Sequence, residues 1–225
     1  MSAPSIIQYE RLDAVGISND EAFAAIYRES FPVAEREPLY VIKNSLSSGG
    51  LAMRAASDGR TVGFATAQML PRVPAVFLVY LAVRADARNN GLGGALLEAL
   101  IAESHRTLPA GLGLVWEVDR ESEATDDSER ERRRRRIAFF RRHGGSQFPG
   151  KYFQPAVDGH TIVPMHLFFR PFAPGVPPPP EHFVEGIYFD KYAAVNGICP
   201  EHLDDLRHGR LPPRPSYGSR LSASL

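Results

Sequence analysis

The chain has 225 residues, 44% of them hydrophobic, which suffices for one sizeable core with a small appendage. Its 26 basic and 26 acidic side chains cancel, so charge gives no argument for nucleic acid or an anionic membrane as partner. A single cysteine, Cys199, excludes an internal disulfide, and no apolar run approaches the roughly 18–20 residues that span a bilayer.

The first residues lack the basic start and apolar stretch of a signal peptide, so a cytoplasmic protein is expected. Residues 6–12 read as a short strand. Ser18-Asn-Asp-Glu21 reads as a capping box, after which Phe23, Ile26, Tyr27 and Phe31 recur at helical spacing until Pro32. A polar loop over 31–38 leads to a second helix near 39–46. Strands at 51–56 and 61–70 are joined by Ser57-Asp-Gly-Arg60, a strong hairpin signal. The run VFLVYLAV at 76–83 fits a strand buried on both faces. Gly91 opens a helix with Leu92, Ala95, Leu96, Leu100 and Ile101 as its apolar side. A buried strand at 112–118 follows, then a helix over 129–143 that stops at Gly144-Gly145. Further strands are expected near Tyr152 and at 162–169.

The domain so outlined covers 1–170. The Pro-rich stretch 171–180 reads as a linker, extended over 177–180. Beyond it, Phe183, Ile187, Tyr188, Tyr192 and Val195 are spaced for one helical face. The extension 181–225 carries too many aromatics for a free tail and is expected to pack on the core or on a partner subunit. The last dozen residues read as frayed.

A buried strand, then Arg88-Asn-Asn-Gly91-Leu-Gly93-Gly94, then an amphipathic helix, makes a phosphate cradle. The glycines let consecutive N–H groups converge, the helix end adds partial positive charge, and Arg88 supplies a guanidinium. A dinucleotide fingerprint would need a third glycine where Leu96 stands, and the preceding antiparallel meander is wrong for it. A Walker loop would need Gly-Lys-Ser/Thr, which is absent. The pattern [RQ]-x-x-G-x-[GA] is matched at every fixed place. With the element order over roughly 5–170, it makes the chain resemble the GNAT superfamily of acyl-CoA-dependent N-acyltransferases.

That resemblance implies an α/β (α+β) GNAT fold, with a mixed central sheet of about seven strands and helices on both faces. It implies acetyl-CoA as co-substrate and no metal. The pyrophosphate would lie on Arg88, Asn89, Asn90, Gly91, Leu92, Gly93 and Gly94. The pantetheine arm would pair with Leu81, Ala82 and Val83, and a backbone N–H near Leu81 or Ala82 would polarise the thioester. The family's second signature, N-x-x-A-x-x-[FL]-Y-x-x-x-G-F, falls on 133–145. There Phe140 replaces the Tyr that usually protonates the departing thiolate, and can only pack beside the arm. Phe77 stands where some relatives carry a strand-four Glu. The base candidates are therefore Glu117, where the fourth and fifth strands splay in this fold, and Glu35. Tyr152 is the candidate acid and Tyr80 a weaker one. His143 and His166 read as structural.

Glu129–Arg133 and Glu131–Arg135 fall at supportive i,i+4 spacing, so the arginine run 132–136 reads as a solvated helix face. A second reading brings one or two of these arginines to the 3′-phosphate or adenine end of CoA. The expected activity is transfer of an acetyl group to a primary amine of a small molecule or peptide. An acyl-CoA-binding sensor without turnover and a transferase of longer acyl chains stay open. A homodimer is expected by resemblance only.

Overall fold

The structure, a computed structural model, describes residues 6–175 and 177–210. The frayed end expected for the last dozen residues lies outside them. Eight strands form one sheet: β1 (Ile7–Arg11), β2 (Gly50–Ser57), β3 (Arg60–Leu70), β4 (Ala75–Val83), β5 (Gly113–Asp119), β6 (Ser146–Gln147), β7 (Tyr152–Gln154) and β8 (Val163–Pro171). The order is β1-β2-β3-β4-β5-β8-β6, with β7 also on β8. The eighth strand beyond the expected seven is β6, two residues long and too short to show any periodicity. Every pairing is antiparallel except β4 with β5.

The helices are α1 (Ala14–Asn19), α2 (Glu21–Ser30), α3 (Leu39–Ser45), α4 (Leu92–Thr107), α5 (Asp127–Arg142), α6 (Pro180–Gly186) and α7 (Pro200–Arg207). A π-helical turn, Ile187–Ala193, runs on from α6. No helix among the described residues is long and apolar enough to cross a membrane.

Alternation along the strands sorts the side chains into layers. Leu114, Trp116 and Val118 face Leu96, Leu97 and Leu100 of α4 and Phe140 of α5 in one core. The other face is covered in two parts. Phe23, Ile26 and Tyr27 of α2 lie over Phe64, Tyr80 and Ala82. Phe183, Ile187, Tyr188 and Tyr192 lie over Phe77, Val115 and Phe169. The chain beyond Pro180 thus shares a core with the sheet.

Three local differences from the sequence reading have physical reasons. The cap of α2 is Asp20, whose carboxylate accepts from Phe23 N at 2.9 Å. Its other oxygen is held by Thr61 and Arg54, which fixes the register. Ser18 instead ends α1 and donates to Ala14 O, and α1 escaped notice because Ile17 is its sole buried residue. Pro180 opens α6 at a position where its missing N–H costs nothing, so the extended backbone ends at Pro179.

Phe183 is fully buried, its ring centroid 4.8 Å from Phe169 and 5.3 Å from Phe148. Phe183→Ala is therefore expected to cost about 3–5 kcal/mol in chemical denaturation. The loss should appear in a single transition, because the extension and the sheet share that core.

Candidate active site

The parallel ladder of β4 and β5 is only three residues long, Val76↔Leu114, Phe77↔Val115 and Leu78↔Trp116. At the next residue β4 bulges: Thr66 of β3 pairs with Tyr80 and Ala67 with Leu78, which leaves Val79 over. A bulge bends its strand. β4 then runs on to Val83 with β3 alone, and a gap opens toward Glu117 and Asp119. Arg84 N donates to Val62 O at 2.9 Å, which sets the phase of the antiparallel ladder. In that phase Tyr80 and Ala82 turn their backbone groups to β3, whereas Leu81 and Val83 turn theirs into the gap. Of Leu81 and Ala82, it is Leu81 whose amide faces the gap.

The turn after β4 is left-handed at Asn89 (φ 66°) and Gly91 (φ 76°), and Gly91 caps α4. The first amides of α4 have no intrahelical acceptor, and its first turn carries no acidic side chain. A cleft of about 830 Å³ lies alongside, lined by Leu81, Ala82, Val83, Arg88, Asn89, Gly93 and Phe140 among others. Asn90, Gly91 and Leu92 line a separate groove on the other side of the turn. Gly94 lines neither: a Cβ there would collide with the ring of His143, so its lack of side chain lets α4 approach α5. Arg88 Nε donates to Val83 O at 2.9 Å, holding the guanidinium at the cleft.

Arg132, Arg135, Arg136 and Arg142 of α5 line the same cleft. Glu129–Arg133 forms as expected at 2.6 Å. Glu131 pairs with Arg134 at 3.2 Å rather than with Arg135. Arg132, Arg135 and Arg142 have no ion-pair partner among the described residues, and Arg136 reaches Asp119 only at 3.6 Å. The α5 face toward the cleft thus carries cations free to meet phosphate, and with Arg88 and the open amide of Gly93 it suits a polyanion.

Glu117 sits at the first residue of β5 beyond the ladder, on the face of Val115 and Asp119. Tyr152 donates to its Oε1, and Gln154 Nε2 donates to Oε2 at 3.0 Å. Tyr192 donates to the carboxylate at 2.9 and 3.0 Å. Burial pushes the Glu117 carboxyl up to about 7 against the pull of the two phenols. Burial, then the charge of Glu117, holds Tyr152 and Tyr192 well above the ordinary phenol range, so both stay protonated.

Glu35 lies in a short 3-10 turn after α2, and its carboxylate makes no hydrogen bond or ion pair among the described residues. Burial, then the charge of Asp119, pushes it up to about 7 against Arg136 and Arg133. Its loop is pinned from β4. Tyr80 donates to Glu35 O and accepts from Glu37 N, both at 2.9 Å, while Tyr27 donates to Glu37 O at 2.8 Å. Glu37 itself is buried and bonded at 2.9 Å to Lys191, equally buried. Among the described residues no three His, Cys, Asp or Glu side chains are placed to hold a metal.

The family model for the acetyltransferase (GNAT) family matches residues 20–144, more than half of the chain. This protein belongs to the GNAT acetyltransferase family. Among solved structures, a protein from Bacteroides thetaiotaomicron placed in that family superposes with a TM-score of 0.63 at 22% identity, over 85% of this chain and 99% of its own. The ribosomal-protein-S18-alanine N-acetyltransferase of Escherichia coli gives 0.54 at 20% identity, over 77% and 98%. Arabidopsis thaliana NAA60, in complex with acetyl-CoA, gives 0.56 at 16% identity, over 74% and 98%. These identities support the shared fold. No curated protein matches the sequence.

In this GNAT protein two of the proton-transfer candidates, Glu117 and Tyr152, are bonded to each other, and the charges of Glu37 and then Glu35 raise Glu117 further. Tyr80 spends both its donor and its acceptor on the loop, which leaves it no proton to give. Phe140 is buried with its ring centroid 5.0 Å from Trp116. Phe77 is buried edge-on to Tyr192, 6.2 Å between centroids. His143 meets Glu98 at 3.5 Å and His166 contacts Gln147, both away from the gap. Glu37, Asp119, Gln154, Lys191 and Tyr192 were missed. The period-two spacing of Glu117 and Asp119 on one strand face was legible, whereas Tyr192 reads as one more apolar helix position.

Because folding raises the Glu117 value from 4.5 to about 7, the neutral form is favoured in the native state. Its contribution to stability is complete below pH 4.5 and is lost as pH rises through about 7. Urea titrations should show Glu117→Gln gaining on wild type across that window by about 1–3 kcal/mol, discounted for partial solvent contact. Equal pH dependence of the two proteins would show that Glu117 keeps its ordinary value.

Proposed function

We propose that the protein transfers an acetyl group from acetyl-CoA directly to a primary amine of a small molecule or peptide, with Glu117 as general base. The observation that carries this reading is the place of Glu117. It stands at the first position where β5 leaves β4, half-buried, and is tied to a phenol that stays protonated. A base is most effective when its pKa lies near the working pH, and a value of about 7 meets that condition.

The cleft beside Arg88, Asn89 and Gly93, with the unpaired arginines of α5, would take the phosphates and lead the pantetheine arm along β4. The Leu81 amide would then donate to the thioester oxygen as charge develops there. Glu117, directly or through water, removes a proton from the acceptor ammonium. The freed nitrogen attacks the carbonyl carbon, the C–N bond forms and the C–S bond breaks. The thiolate takes a proton from Tyr152, which is restored by the proton held on Glu117. Glu117, ionised again, takes the second proton from the new amide nitrogen and passes it to solvent. A thiol with an ordinary pKa near 8.5 is a fair leaving group, so this step asks little of Tyr152. Glu35 and Asp119 make the approach acidic, which favours a cationic acceptor. Holding both substrates in one gap supplies much of the acceleration.

The test is acetyl-CoA turnover, read as thiol release, against polyamines, aminoglycosides and peptides with free N-termini. Wild-type kcat/KM should fall about tenfold per pH unit below about 7. Glu117→Gln should lower kcat by about 10²–10⁴ while KM for acetyl-CoA stays within about twofold. Acceptor-dependent thiol release that Glu117→Gln leaves intact would remove Glu117 from the role. Silence across the panel with bound acetyl-CoA would contradict the activity itself.

A further inference from the structure

We propose that the π-helical turn Ile187–Ala193, outside the stretch matched by the family model, is a working part of the reaction centre. In it Tyr192 positions the Glu117 carboxylate, and Lys191, bonded to Glu37, offsets part of the negative charge that Glu37 sets against it. The inference rests on the reading of Glu117 as base.

Adjacent residues of an α-helix diverge by about 100°, so two neighbours seldom serve one interior site. Here the turn is widened, and Ile187, Tyr188, Lys191 and Tyr192 are all buried. π-Turns are rare and are frequently found at functional sites. Lys191 and Tyr192 each meet a carboxylate from a different part of the fold: Glu37 from the loop after α2, and Glu117 from β5. The Tyr192 hydroxyl lies almost equally far from both Glu117 oxygens, 2.9 and 3.0 Å, and Gln154 touches it at 3.4 Å while donating to Oε2. A hydroxyl centred on the carboxylate in this way sets its orientation. Tyr188, one turn earlier, supplies the contrast. Its hydroxyl donates to Phe153 O at 2.7 Å, the satisfied bond of a packing tyrosine.

A lysine this buried is seldom present without a partner, and an apolar side chain would fill the same space without desolvating a charge. The pair makes sense beside Glu117. The groups that act on Glu117 are Tyr152 from β7, Tyr192 from the π-turn, and Glu37 and Glu35 from the loop. Of the two loop carboxylates, Glu37 is the one with a cation bonded to it, and that cation comes from the π-turn.

The experiment follows the Glu117 carboxyl by carbon NMR in protein labelled at the glutamate side chain, together with the pH profile of acetyl transfer. Tyr192→Phe keeps the ring and removes a hydrogen bond to the charged form. It should raise the Glu117 midpoint by about one unit and move the acid limb of kcat with it, leaving KM for acetyl-CoA in place. Lys191→Met should also raise the midpoint, and adding Glu37→Gln to it should bring the midpoint back. Tyr188→Phe should change neither. An unmoved midpoint in Tyr192→Phe, or an equal shift in Tyr188→Phe, would overturn the inference. A shifted midpoint with an unmoved rate limb would keep the coupling to Glu117 and remove the base assignment instead.

Discussion

The parting of β4 from β5 after three residues of parallel pairing is the constraint on which the site depends. A sheet that continued its ladder would bury the Leu81 amide and the Glu117 side chain in ordinary packing. The bulge at Val79 ends the ladder at that point and turns the next residues of β4 so that alternate backbone groups face open space. Everything chemical gathers at the gap: the turn at 88–94 at its far end, the arginine face of α5 on one side, and the carboxylates on the other.

Opening a sheet in this way leaves polar groups half-removed from water, and the surrounding layers answer that cost. Tyr27 and Tyr80 satisfy the backbone of the loop that carries Glu35 and Glu37. Lys191 meets Glu37 where an unpaired buried carboxylate would be strongly unfavourable. Tyr152, Gln154 and Tyr192 occupy the oxygens of Glu117. Val79, the bulged residue of β4, packs against both apolar clusters on this face of the sheet. The helices after Pro180 are thus joined to the site through bonds as well as through the aromatic core.

Much of the fold was legible because its signals are local. The Asp-Gly turn, the unbroken apolar run of β4 and the Arg88-to-Gly94 turn each follow from a few neighbouring residues. The cap of α2 was misplaced by two residues because Ser18 and Asp20 suit the position equally in sequence. Only the distant Thr61 and Arg54 decide between them. Glu117 was legible through the family resemblance, which places the splay of the fourth and fifth strands beside it. Lys191 and Tyr192 could not be found that way. Lys191 reads as a solvated residue until its partner 154 positions earlier is known, and a π-turn breaks the helical period by which faces are read. The Glu131–Arg135 pair failed because three- and four-residue spacings compete, and Arg134 also reaches Glu121 at 3.5 Å.

The central claim is that the gap and its basic cleft bind acetyl-CoA. Calorimetric titration of wild type and Gly93→Asp tests it most directly. A side chain at Gly93 would make only ordinary contacts, 3.6 Å to Val83 and 3.8 Å to Phe139, so the variant should fold and place a carboxylate where the phosphates must lie. The account predicts a Kd on the order of micromolar for wild type, weakened at least about a hundredfold in the variant. No heat of binding from folded wild type, or equal binding by both proteins, would contradict it.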